Sequence, residues 1–139
     1  MKALVCDTGP LLAVLNERDR YHVASVALFD DFDGVLVVPS LIVTEVCYLA
    51  QAQVGPEAEA RFIDSIVAGE LTIESPAGPD WARIAQLVRQ YSGFPLGVAD
   101  ASVVAIAERL CVTQLASIDH RHMRAVRPVH CDGFELLPA

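Results

Sequence analysis

The feature that most limits how this chain can fold is an alternation. Short apolar runs stop abruptly, and each is followed by a longer segment whose apolar residues recur at helical spacing. Residues 2–6, KALVC, read as a buried strand ending at Asp7. Thr8, Gly9 and Pro10 then open a helix, since proline is favoured in a first helical turn. Residues 20–32 have helical spacing through Val23, Val26, Ala27 and Phe29, and Asp33-Gly34 ends them. Val35 to Val38 is a second strand, and Pro39-Ser40 opens a helix to about Val54. Further helices are expected over about 57–68, 80–91 and 98–110, with strands at Leu71 to Ile73 and Val112 to Ser117. A final strand is expected near Phe134 to Leu137.

Strands alternating with helices predict an α/β layer fold with a mainly parallel sheet of four to five strands. With 139 residues and no repeat or linker, the whole chain 1–139 reads as a single domain. In such sheets sites form in the crevice beyond the carboxyl ends of the strands. Asp7 and Asp119 sit at the ends of two predicted strands.

Composition supplies a core and removes several classes. Hydrophobic residues make up 53% and charged residues 20%, which argues against disorder. No apolar run reaches the ~18 residues that cross a bilayer, so no membrane association is expected. The first apolar stretch is interrupted by Asp7, Gly9 and Pro10 and lacks a small-residue cleavage site, so the chain reads as cytoplasmic. Cys6, Cys47, Cys111 and Cys131 form no CxxC pair; the first three have apolar neighbours and are expected to be buried free thiols. The net charge of −8 lacks the broad basic face of the simplest nucleic-acid binders but suits an acidic, cation-recruiting cleft.

Four of the 18 acidic residues are placed awkwardly. Glu45 has Leu41, Ile42, Tyr48 and Leu49 three and four residues away, which puts it on an apolar stripe. Asp100 shares a helix face with Val103, Val104 and Ala107. Asp7 and Asp119 close apolar strands. Burying a carboxylate without a partner costs several kcal/mol. Carboxylates converging at strand ends are hard oxygen ligands suited to Mg²⁺ or Mn²⁺. Each aspartate also has a local explanation: Asp7 and Asp119 could cap helices, and Asp100 could be a first-turn acid. Glu45 has none.

At these residues the sequence resembles the PIN-domain family, and within it the VapC-type toxins of bacterial toxin–antitoxin pairs. The opening VCDTGPLLAVL resembles the family's first motif, and PSLIVTEVCYL is similar to the helix that carries its glutamate. GVADASVVAIAERL resembles the third motif and QLASIDHRHM the fourth, with Met123 where Phe is frequent. The resemblance spans nearly the whole chain. It implies a flavodoxin-like, three-layer α/β/α PIN domain with a Mg²⁺ or Mn²⁺ site. It also implies endoribonuclease activity, homodimerisation and inhibition by a cognate antitoxin. Carried over, Asp7, Glu45, Asp100 and Asp119 become the catalytic and metal-binding acids. Thr8 and Ser117 become hydroxyls that orient the carboxylates or a metal-bound water.

Arg121, Arg124 and Arg127, with His120 and His122, are the densest basic stretch and are candidates for RNA phosphate contacts. The other reading is a solvated face balancing nearby acids. His120, His122, His130 and Cys131 match no common zinc spacing. Two rival functions remain. An aspartate-based phosphotransfer enzyme would need a lysine late in the chain, and Lys2 is the only lysine. A non-catalytic α/β interaction module would use the same acids structurally, with no response to metal.

Overall fold

The computed structural model describes residues 2–139. The chain runs β1 (Ala3–Cys6), α1 (Thr8–Leu15), α2 (His22–Asp31), β2 (Val35–Pro39), α3 (Ser40–Gln53), α4 (Pro56–Val67), β3 (Thr72–Glu74), α5 (Gly78–Gln90), α6 (Val98–Arg109), β4 (Gln114–Ala116), α7 (His120–Ala125) and β5 (Glu135–Leu137). All five strands are parallel, in the order β3-β2-β1-β4-β5. The alternation in the sequence therefore corresponds to a three-layer α/β/α fold. Right-handed crossovers put the helices after β1 and β2 on one face and those after β3 on the other.

β1 is central, and all four of its residues are buried. That is why residues 3–6, ALVC, read as a continuous apolar run rather than an alternating one: a strand covered on both faces has no solvent side. The core continues through Val37 and Val38 of β2, Ile42, Val46 and Ala50 of α3, and Ala101 to Ala107 of α6. After β3 the chain crosses over to the far side of β1 to form β4. The strand order thus reverses between β1 and β4, the place where a crevice opens at the carboxyl ends of a parallel sheet.

Several expected details change. The helix predicted over 20–32 is His22–Asp31; Phe29 packs half-buried against the core as its spacing predicts, whereas Val23 is 79% exposed and the fully buried residue is Ser25. The strand predicted over 112–117 is only Gln114–Ala116, and the helix predicted from 80 starts at Gly78. Tyr48 is 72% exposed, so the buried stripe of α3 is Ile42, Val46 and Ala50, with Glu45 half-buried beside it. Of the three cysteines expected to be buried, only Cys6 is. Cys111 follows α6 in the left-handed region at φ 56°, which turns it outward, and Cys47 is half-buried.

Candidate functional site

The strand-end positions of β1 and β4 meet first. The Asp7 N–H donates to the Ala116 carbonyl at 2.8 Å, extending the β1–β4 pairing one residue past the strand. Asp7 is also the N-cap of α1: its Oδ1 accepts the Thr8 N–H at 2.9 Å. Its Oδ2 accepts the Ser117 hydroxyl at 3.0 Å. The same Ser117 Oγ accepts the Asp119 N–H at 3.1 Å, so one serine ties both aspartates to the end of β4. Asp119 is the N-cap of α7, and its Oδ1 contacts the His122 N–H at 3.3 Å and His122 Nδ1 at 3.0 Å.

The other two acids come from helices. Asp100 lies in the first turn of α6, just after the N-cap Gly97. Glu45, on α3, accepts the Thr8 hydroxyl at Oε1, at 2.6 Å. The two helices touch, and Glu45 and Asp100 repel across that contact. The capping explanations for Asp7 and Asp119 are therefore physically correct. They do not compete with a site, since capping fixes where each carboxylate points.

Electrostatics bind the group together. Asp7 is 4% exposed, and its pKa is pushed up to about 7. Burial is the main cause, followed by repulsion from Asp100 and, less, Asp119; the Thr8 N–H and Ser117 hydroxyl oppose it. Asp100 is raised by burial, then by Asp119 and Glu45, with His122 and the Gly97 backbone opposing. A buried acid surrounded by acids is short of positive charge, and an oxygen-only donor set of this kind suits a hard divalent cation. Among the described residues, no three acidic, histidine or cysteine side chains stand close enough to form a ready-made cage. The fit is to an ion such as Mg²⁺, which keeps several waters and needs only one or two direct carboxylates.

Arg121 and Arg124 on α7, whose N-cap is Asp119, and Arg127 just after it are exposed. Among the described residues they form no ion pair with a carboxylate, whereas Arg83 and Arg109 are paired with Glu108, Asp80 and Glu74. Arg121 lies over the Phe94 ring, 4.8 Å from its centroid, and His122 packs on the same ring at 4.6 Å. Sequence reasoning grouped His122 with the basic stretch and missed its contact with Asp119. Its position three residues past an N-cap aspartate was the available signal. Phe94 gave none, because its partner lies across the fold. Lys2, which a phosphotransfer site would need, lies with its Nζ over Phe32, before β1 and so at the opposite end of that strand from Asp7.

Comparisons with known proteins agree with this architecture. Over 135 residues the chain is 28% identical to "Ribonuclease VapC26" of Mycobacterium tuberculosis, covering 97% of this chain and all of that one. The crystal structure of Mycobacterium tuberculosis VapC20, described as a sarcin-ricin loop cleaving toxin, superposes with a TM-score of 0.81 at 14% identity, covering 92% of this chain and 98% of the other. VapBC2 from Rickettsia felis, bound to a DNA fragment from its promoter, gives 0.70 at 12% identity, covering 96% and 98%. The family described as "PIN domain" matches residues 4–127, a span that takes in all four acids, and this chain belongs to that family.

Proposed function

We propose that this chain, as one PIN domain over residues 1–139, is the ribonuclease toxin of a VapBC-type pair, a Mg²⁺- or Mn²⁺-dependent endoribonuclease acting on cytoplasmic RNA. The observation that carries this reading is the buried Asp7 carboxylate facing Asp100 and Asp119 at the point where the strand order reverses. The ribonuclease name of the Mycobacterium tuberculosis relative, matched over its full length, supports it.

Asp7, Glu45, Asp100 and Asp119 would hold the divalent ion, which when bound supplies Lewis-acid activation of water and charge stabilisation at the phosphate. The protein's part is orientation. The Thr8 N–H and the Ser117 hydroxyl each hold one oxygen of Asp7, and the Thr8 hydroxyl holds one oxygen of Glu45, so the direction of both carboxylates is fixed. Asp119 is steered by the first turn of α7. Arg121, Arg124 and Arg127 would meet the phosphates on either side of the cut and offset the charge of −8 locally.

The Rickettsia felis VapBC2 assembly supports a cognate antitoxin as a partner. A cleft of about 400 Å³ lined by Leu11, Phe29, Phe32, Phe62 and Leu71, with Asp30 and Glu70 among its lining residues, would accept an apolar antitoxin side chain flanked by basic ones. Exposed Tyr48 on α3 and Trp81 and Val88 on α5 support a homodimer. No helix among the described residues is long and apolar enough to cross a membrane.

The test is incubation of the purified protein with RNA in Mn²⁺, followed by sequencing of the new ends. Cleavage should stop with a chelator and in Asp100→Asn. Cleavage that persists in both overturns the assignment.

A further inference from the structure

We propose that Phe94 and Arg121 form a stacking platform that takes one unpaired RNA base beside the cut. The inference rests on the nuclease reading and names the contact that positions its substrate. The loop between α5 and α6 is held rigid. Leu96 is 3% exposed, the Phe94 N–H donates to the Tyr91 carbonyl at 2.9 Å, and the Arg127 N–H donates to the Tyr91 hydroxyl at 3.0 Å. Pro95 disfavours helical backbone at Phe94, and the ring itself is held by its contacts with Arg121 and His122.

Arg121 and His122, neighbours on α7, both rest on that ring. His122 in turn contacts Asp119, so the platform lies two contacts from the acid cluster. Arg121 is exposed and, among the described residues, has neither a hydrogen bond nor an ion pair. In a chain of charge −8, an exposed arginine held 4.8 Å from an aromatic ring centroid, instead of paired with an acid, offers an unpaired guanidinium on an aromatic support. Nucleobases stack on aromatic rings and on guanidinium planes, whatever their sequence, and a duplex buries those faces. The occupant is therefore a base in a single strand or loop, its flanking phosphate reaching Arg124 or Arg127.

The experiment is a cycle between protein and RNA. An oligonucleotide spanning a mapped cut site carries abasic replacements, one at a time, at the nucleotides flanking the cut. Wild type, Phe94→Leu and Phe94→Trp are compared by kcat/KM in Mn²⁺. One abasic position should cost wild type about 5- to 100-fold. Phe94→Leu should lose a similar factor on intact RNA and little more on the abasic strand, while Phe94→Trp keeps the wild-type pattern. Additive losses, or no sensitive position in wild type, overturn the platform. If Phe94→Leu fails to fold, Arg121→Lys, which keeps the charge but not the plane, carries the same cycle. Binding of a short labelled single strand in Ca²⁺ separates the two readings. RNA bound through Phe94 but uncut in Mn²⁺ sinks the nuclease assignment alone, and RNA cut with no dependence on Phe94 sinks the platform alone.

Discussion

Asp7→Asn should make the metal-free protein more stable above pH 7, although it removes a group placed at the centre of the site. The ordinary carboxyl value of 3.8 is raised to about 7 in the folded chain. Between those two values the native state binds more protons than the unfolded state, so stability falls as pH rises through that window and levels off above it. Each pH unit is worth about 1.4 kcal/mol, which makes the full cost of ionising Asp7 about 4 kcal/mol. An asparagine in the same place carries no charge. Its amide oxygen can still accept the Thr8 N–H, but its NH₂ faces Ser117 Oγ, which must then accept instead of donate. That exchange costs about 1 kcal/mol, leaving a net gain of about 3 kcal/mol at pH 8. For a chain of this size the melting temperature should rise by roughly 6–12 °C. The assay is thermal melting by circular dichroism in chelator at pH 5 to 8, repeated with Mn²⁺. Wild type should weaken from pH 5 to 7 and recover stability with Mn²⁺, while Asp7→Asn should weaken less over that range, keeping the part that Asp100 contributes, and respond little to the ion. A wild-type protein equally stable at pH 5 and 8, or one matched by Asp7→Asn throughout, would refute the idea that Asp7 is an uncompensated charge.

Three further outcomes follow from the same geometry. Thr8→Val removes the hydroxyl that Glu45 accepts; it should cost about 1–2 kcal/mol in urea unfolding and lower cleavage without changing where the RNA is cut. Gly9→Ala should cost about 1–3 kcal/mol, because a Cβ there runs into the Ile118 side chain, and Ile118→Ala should cost less in that background than in wild type when both are read by urea unfolding. Glu108 is buried, pairs with Arg83 at 2.8 and 2.9 Å and accepts the Val129 N–H. Glu108→Ala should therefore cost about 3 kcal/mol, with Arg83→Met recovering part of it in a double-mutant cycle.

The sequence by itself determined the layer architecture. Runs such as ALVC (residues 3–6), apolar at every position, suit strands covered on both faces, and such strands alternating with helices leave a parallel sheet as the economical solution. It also singled out Asp7, Glu45, Asp100 and Asp119, since an acid at a strand end or beside an apolar stripe is visible from its neighbours in the chain. Helix faces were less legible. Val23 and Tyr48 have apolar spacing yet face solvent, because periodicity reports that a face is apolar but not whether another element covers it. Only the tertiary structure decided which groups meet. Ser117 reaches back 110 residues to Asp7, Thr8 reaches forward 37 to Glu45, and Phe94 lies under Arg121. Those pairings depend on strand order and crossover direction, which are set by burial of the whole sheet at once, so no local pattern encodes them.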